Sequence, residues 1–269
     1  GVSILEVDDL NKDGYDDIIA GGTWGSLYAL NGKNGELLWY SPLGSSISKS
    51  MPGISDINND GYPDVIFGTG SGFVRALNGL NGSLIWKYYI PTSQNLPAGF
   101  SPIVISDHNS YCYKEVIFTY TSNESFLLAL NGLNGSLLWK VSFYDYYPNN
   151  IAIYDMNDDG ILDIIMTAVW SSEPILHKIY VFSGIDGELL YSFDLRTRYY
   201  GSLFIVTLVD LDHDKNPEIL VRSSSALLLV DIKNHSIIWK DYISLDTVFH
   251  PMVDPAIADI DNDDEPEII

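Results

Sequence analysis

Asp9, Asn11, Asp13 and Asp17 put side-chain oxygens at positions 1, 3, 5 and 9 of a nine-residue segment, with Gly14 at position 6. The arrangement recurs as Asp56, Asn58, Asp60, Gly61 and Asp64, and again as Asp155, Asn157, Asp159, Gly160 and Asp163. Alternate residues project oxygens into one concavity, and glycine permits the sharp turn between them. Position 7 (Tyr15, Tyr62 or Ile161) can add its backbone carbonyl. Six or seven hard oxygens suit Ca²⁺, whereas Mg²⁺ demands a stricter octahedron, and no His or Cys stands nearby to favour zinc. A polar turn would explain one such loop. Three in register, each packed with acids that repel without a counter-ion, point to a cation.

The pattern resembles the front half of an EF-hand, with the last acid moved from position 12 to 9. That acid begins the next apolar run, so an ion held by the loop would pin two strands together. Looser copies are Asp210, Asp212, Asp214 and Glu218, with Lys215 in place of glycine, and Asp259, Asp261, Asp263 and Glu267, with Asp264 there. Both are read as further cation sites, built on less favourable turns. The copy at 107–115 has Tyr111 and Cys112 at positions 5 and 6, and no metal is expected in it. An ion enclosed by loop oxygens leaves no open position for substrate, so the expected role is structural.

The elements that position these loops repeat with them. The six copies start 47 to 55 residues apart. After each of the first five comes a second motif, Tyr28-Ala-Leu-Asn31-Gly32-Lys-Asn34-Gly35-Glu-Leu-Leu-Trp39 in its first form. Arg75 to Trp86, Leu128 to Trp139, Tyr180 to Tyr191 and Leu229 to Trp239 follow it. Asn-Gly between apolar runs is a strong hairpin signal, because its turns need positive φ. Each repeat thus has four short β-runs: one before the acidic loop, one after it, one ending at Asn-Gly and one holding the Trp. No amphipathic helix is evident. Four antiparallel strands every ~40–50 residues predict an all-β chain, a β-propeller of four-stranded antiparallel blades. Five repeats are complete and a sixth is partial, within a parent of six to eight blades. The repeats fall at about 1–47, 48–98, 99–147, 148–200, 201–250 and 251–269, read as one propeller domain. A β-solenoid and tandem small sandwiches are the alternatives. The recurrent Trp39, Trp86, Trp139 and Trp239, with Tyr191 as the fifth, are read as core residues between blades.

The acidic loops resemble FG-GAP/VCBS repeats, the blades of the integrin α-subunit head, and the Asn-Gly motif resembles the blade repeat of quinoprotein propellers. Together these resemblances cover nearly the whole chain. They imply a calcium-binding propeller scaffold, and they carry no chemistry by themselves, since one fold hosts many functions.

Composition limits the partners. With 14 basic against 36 acidic residues, the formal charge is −22. This argues against nucleic acid, whose phosphates require a basic face, and disfavours anionic membranes. Twenty-four of the acids lie in or beside the six loops, so the excess is mainly a set of ion cages. The lone Cys112 excludes an intrachain disulfide and a Cys-cluster metal site. No apolar run is long enough to span a bilayer, so no direct membrane insertion is expected. Gly1-Val2-Ser3 enters a strand pattern directly, the mark of a mature or trimmed segment.

In a meandering blade the acidic loops and Asn-Gly turns share one face. The opposite face is formed by the segments 43–50, 90–99, 143–149, 168–176, 195–201 and 243–251. Trp24, in the second–third connection of the first repeat, lies on the same face, and with Trp170, Arg196, Arg198, Tyr199 and Tyr200 it forms a candidate ligand face, because aromatic platforms with Arg suit carbohydrate or protein partners. Loop packing is the competing reading for each. Asn81, Asn123, Asn134 and Asn234 head Asn-x-Ser sequons, three of them in equivalent turns, which points to a glycosylated chain outside the cell or at its surface. The expectation is therefore an extracellular, non-enzymatic module for adhesion, ligand recognition or surface assembly. A calcium-containing polysaccharide lyase is the alternative, and a quinoprotein dehydrogenase, lacking an adjacent Cys pair, a remote one. The sixth repeat stops after its second strand. Either a longer parent chain supplies the missing strands or a neighbouring chain does so through open strand edges, which would lead to self-assembly.

Overall fold

Turn chemistry cuts the chain into short strands that pair in sequence order. The computed structural model describes residues 2–22, 25–47, 51–90, 99–107, 113–122, 124–144, 146–170, 177–195, 203–211, 216–223, 226–242, 257–258 and 267–268. Every regular element among them is a strand. No helix of the described residues is long and apolar enough to cross a membrane.

The first sheet runs β1 (Val2–Asp8), β2 (Asp17–Gly22), β3 (Ser26–Leu30) and β4 (Leu37–Pro42). The second runs β5 (Gly53–Ser55), β6 (Asp64–Gly68), β7 (Phe73–Leu77) and β8 (Leu84–Tyr89). In the third, β10 (Val104–Ser106), β11 (Glu115–Thr121), β12 (Ser125–Asn131) and β13 (Leu137–Phe143) form the meander, and β9 (Gly99–Phe100) also pairs with β11. The fourth is β14 (Tyr146–Tyr154), β15 (Asp163–Trp170), β16 (His177–Phe182) and β17 (Leu189–Leu195). The fifth is β18 (Phe204–Val209), β19 (Glu218–Arg222), β20 (Ala226–Asp231) and β21 (Ser236–Tyr242). The pair β22 (Ile257–Ala258) and β23 (Glu267–Ile268) answers to the partial sixth repeat. All pairings are antiparallel, so this is an all-β chain of the four-stranded blades expected for a propeller.

The chain divides into two compact units, residues 1–144 with 184–188, and 145–183 with 189–269. In the first unit, one apolar layer joins the first two sheets through Leu10, Ile19, Leu27, Trp39, Phe67 and Leu77. A second joins the second and third sheets through Ile57, Ile66, Val74, Trp86, Phe118 and Leu128. In the second unit, Ile165, Ile179, Phe193, Leu203, Ile219 and Leu228 join the fourth and fifth sheets. A strand buried on both faces needs apolar residues at consecutive positions, and β6 is buried along its whole length.

The fourth strand of each blade is bulged. The register of β3 against β4 slips between Ala29 and Leu30, and the same slip recurs at Ala76/Leu77, Ala129/Leu130, Val181/Phe182 and Leu229/Val230. An extra residue in one strand re-aims the side chains that follow it. This is why Leu37 is 56% exposed while Trp39, two positions on, is 5% exposed.

Two expected loops are shorter than their composition suggests. Tyr146 and Trp170, placed by sequence in segments 143–149 and 168–176, lie on β14 and β15 as cross-strand partners. Their rings meet edge to face at 4.8 Å, and that contact extends the hairpin past the acidic loop's own strands. Trp170 therefore ends a strand. Of the other candidate ligand-face residues, Trp24, Arg196, Arg198, Tyr199 and Tyr200 lie outside the described residues, as do Tyr111 and Cys112.

Candidate metal centre

The three complete acidic loops fold alike, for local reasons. In the first, Asp9 Oδ1 accepts from Asp13 N at 3.0 Å and Asp9 Oδ2 from Gly14 N at 2.9 Å. Asn11 Oδ1 shares the Asp13 N–H at 2.8 Å, and Asp13 Oδ1 accepts from Tyr15 N at 3.1 Å. Asp56, Asn58 and Asp60 repeat the set with Gly61 and Tyr62, and Asp155, Asn157 and Asp159 repeat it with Gly160 and Ile161. The oxygens of positions 1 and 3 thus converge on one N–H. Gly14, Gly61 and Gly160 adopt φ of 88°, 89° and 83°. Position 4 is also left-handed, at Lys12, Asn59 and Asp158 with φ of 60°, 59° and 58°. Asn and Asp tolerate that conformation better than Lys does, and the sequence pattern did not reveal the requirement.

The ninth residue faces inward. Asp17 and Asp64 are fully buried, and Asp163 is 1% exposed. Asp64 Oδ2 accepts from Ile57 N at 3.2 Å, Asp163 Oδ2 from Met156 N at 3.1 Å and Glu218 Oε2 from Leu211 N at 2.8 Å, so the acid ties the loop's second residue to its end. Asp17 Oδ1 accepts from Gly32 N at 3.1 Å and Asp64 Oδ1 from Gly79 N at 3.4 Å, which joins the acidic loop to the Asn-Gly turn of the same blade. Glu115 holds the equivalent buried position in the third blade. Asp210 and Glu218 are described in the fifth loop, whereas Asp212 and Asp214 are not. Asp259, Asp261 and Asp263 lie outside the described residues, and of Glu267 only the backbone is described.

The electrostatics separate the two kinds of acid. The Asn31 amide beside Asp13 holds its carboxyl below the usual range, and the Tyr62 N–H does the same for Asp60. Burial pushes Asp17 up. Burial, with the charges of Asp60 and Asp56 adding to it, pushes Asp64 up to about 6. A buried carboxylate raised in this way lacks a counter-charge, and an adjacent cation would supply one. Asp17 Oδ2 is buried with no hydrogen-bond partner. The donor set is all hard oxygen, so the residues fit Ca²⁺ in chemistry. Among the described residues, no three His, Cys, Asp or Glu side chains cluster tightly enough to hold a metal alone. The donor set read from the sequence adds an Asn oxygen and a backbone carbonyl to each loop's acids.

Asp64 sets a pH dependence. Its pKa in the metal-free fold lies above its ordinary value of 3.8. Between those values the folded state holds more protons than the unfolded chain, so its contribution to stability falls as pH rises. In chelator, the urea midpoint should be higher at pH 5 than at pH 7, and Asp64→Asn should shrink that difference. In excess calcium the order should reverse, because protons compete with the ion.

The Asn-Gly turns are held from both sides. A Cβ on Gly79 would lie 1.8 Å from the Pro63 carbonyl oxygen, so only glycine lets the turn sit against the acidic loop. On the other side, Trp39 Nε1 donates to the Gly79 carbonyl at 2.6 Å, Trp86 Nε1 to Gly132 at 2.6 Å and Trp139 Nε1 to Gly184 at 3.3 Å. Each Trp thereby reaches from one repeat to the turn of the next. Leu10 and Ile57, the second residues of their loops, lie close against Gly79 and Gly132. Loop, turn and Trp form one continuous structure along the acidic face of the first unit. Sequence reasoning missed the amide and indole bonds. The available signal was the constant 18-residue separation of Asp13 from Asn31 and of Asp60 from Asn78.

Residues 9–67 match the family model described as FG-GAP-like repeat. No curated protein matches the sequence. Among solved structures, BamB from Moraxella catarrhalis is similar at 16% identity and a TM-score of 0.56, over 96% of this chain and 69% of that one. The biofilm matrix protein Bap1 of V. cholerae is similar at 17% identity and a TM-score of 0.60, over 89% of this chain and 38% of Bap1. A quinohemoprotein alcohol dehydrogenase, ADHIIG from Pseudomonas putida HK5, is similar at 11% identity and a TM-score of 0.60, over 90% of this chain and 44% of that one. Identities this low speak for the fold alone, and the fold is that of propeller blades. The chain spans less than half of the latter two proteins.

The sequon turns are well formed. Asn81 Oδ1 accepts from Ser83 N at 2.9 Å and Asn134 Oδ1 from Ser136 N at 2.8 Å, and both residues are exposed. Asn234 is exposed too, but its Nδ2 donates to Asp231 Oδ2 at 2.7 Å. Asn123 lies outside the described residues.

Proposed function

We propose that the chain is a calcium-stabilised propeller module that works outside the cell as a non-enzymatic surface for recognition or assembly. The observation that carries this reading is the identical construction of the three complete acidic loops, each ending in a buried carboxylate. Asp9, Asn11, Asp13 and Asp17 would hold the first ion, with the corresponding residues at 56–64 and 155–163 holding the others. The ion supplies positive charge, and the chain's own residues do the rest. The ninth acid fixes the start of the second strand, and the Asn-Gly turn locks it to the third and fourth. Exposed sequon asparagines at equivalent turns support a secreted chain. The fold shared with a biofilm matrix protein supports a matrix or surface setting.

The test is retention of the intact protein on arrays of glycans and extracellular matrix preparations, in calcium and in chelator, beside a turnover assay on acidic polysaccharides. Binding in calcium without formation of unsaturated product is expected. Turnover, or binding indifferent to chelator, would overturn the reading.

A further inference from the structure

We propose that Asn31 and Asn78 are positioning residues for the cations of loops 9–17 and 56–64, a role that rests on the calcium reading above. Asn31 Nδ2 donates to Asp13 Oδ2 at 2.9 Å, and Asn78 Nδ2 donates to Asp60 Oδ2 at 2.7 Å. The other oxygen of each carboxylate is already held by the N–H of position 7, Tyr15 or Tyr62. The fifth-position carboxylate is therefore fixed through both oxygens. Each oxygen has two lone-pair directions, so Asp13 keeps one on each oxygen for an ion; Asp60 Oδ2 also accepts from Asn58 Nδ2 at 3.0 Å, so Asp60 keeps one on Oδ1.

Asn31 cannot turn away at little cost. Its Oδ1 accepts from Lys33 N at 3.0 Å and from Asn34 N at 3.2 Å. Its own N–H donates to the Glu36 carbonyl, and its carbonyl accepts from Gly35 N, both at 2.7 Å. The residue is 8% exposed. The oxygen end serves the turn and leaves only the amide nitrogen to face the acid. The hairpin β3–β4 thus sets the carboxylate of a loop 18 residues away, in the way that outer partners orient the ligands of metal sites.

The third repeat separates the two duties of this asparagine. Asn131 keeps the turn, accepting from Leu133 N at 2.9 Å and Asn134 N at 3.3 Å, yet its loop carries Tyr111 in place of the fifth-position acid. The fourth repeat has Ser183 at this position, so serine is compatible with the turn. Asn→Ser is then a substitution that keeps a turn-forming oxygen, adds no charge and withdraws the reaching amide.

The experiment is calorimetric titration of the metal-free full chain with CaCl₂, for wild type, the Asn31→Ser/Asn78→Ser double variant and an Asn131→Ser control. Two sites of the double variant should weaken by about 10-fold or more, while the site of loop 155–163 keeps its affinity and the isotherm splits. Asn131→Ser should titrate like wild type. The metal-free melting temperature is the second readout: Asn78 Oδ1 holds no turn N–H, so a loss no larger than twice the control's shows that the turns account for no more than that. If the double variant binds calcium like the control, the positioning role is wrong although the calcium reading stands. If wild type itself binds no calcium, the calcium reading fails first.

Discussion

Removing calcium should lower the melting temperature of this chain by on the order of 15 °C or more. An ion that binds only the folded state stabilises it by about 2.7 kcal/mol at a hundredfold excess over Kd, so three occupied loops would together contribute about 8 kcal/mol. For a chain of this size each kcal/mol moves the midpoint by roughly 2–4 °C. That energy would act at the buried ninth-position acids. Without the ion, Asp17 and Asp64 are buried acids, pushed up by burial and, for Asp64, by Asp60 and Asp56. Each also carries the link to an Asn-Gly turn through Gly32 or Gly79. Chelation therefore loosens both hairpins of a blade. Scanning calorimetry in calcium, in chelator and after calcium is restored reads this directly. A melting temperature indifferent to chelator would mean that the backbone N–H groups and asparagine amides now seen on the loop oxygens are their only partners, and the loops would then be polar turns.

Much of this architecture was legible in the chain. The 47-residue step from Asp9 to Asp56 marks a blade, and Asn34-Gly35 with Asn81-Gly82 marks its last hairpin. Those signals are local, because a left-handed φ or a run of loop oxygens is specified within a few residues. What escaped depends on contacts between repeats. Trp39 reads as a core residue from its recurrence, but only the fold shows its indole N–H capping the Gly79 carbonyl of the following blade. Asn31 reads as a turn residue, and its amide bond to Asp13 appears only when β1–β2 and β3–β4 close at the same end of one sheet. Trp170 was read as a loop platform because nothing local forecasts that β15 continues to it. The ring of Tyr146, 24 residues earlier, provides the reason.

The indole contact supplies the second large effect. Trp86→Ala should destabilise the first unit by roughly 4–6 kcal/mol, from a lost buried aromatic and a Gly132 carbonyl left without its donor. Trp86→Phe keeps most of the bulk, so its smaller cost isolates the hydrogen bond. The partner is as constrained as the Trp. Gly135 has φ of 70°, and a Cβ there would meet the Trp86 ring at 2.6 Å. Gly135→Ala should therefore cost about 2–4 kcal/mol, from left-handed strain and from overpacking. The chain contains its own suppressor. In the fifth repeat the second turn glycine is replaced by His235, still left-handed at φ 54°, and the residue it faces is Tyr191. The His235 ring lies 5.4 Å from Tyr191 and stacks on Phe193 at 4.6 Å, so a side chain is accommodated where the smaller aromatic stands. It follows that Gly135→Ala should cost at least about 1 kcal/mol less in a Trp86→Tyr background than alone, a coupling within the range of contacting pairs. Urea midpoints of the two single variants and the double variant close the cycle. Strict additivity would show that the ring and the turn do not compete for space, and that the Tyr191–His235 pair arose for some other reason.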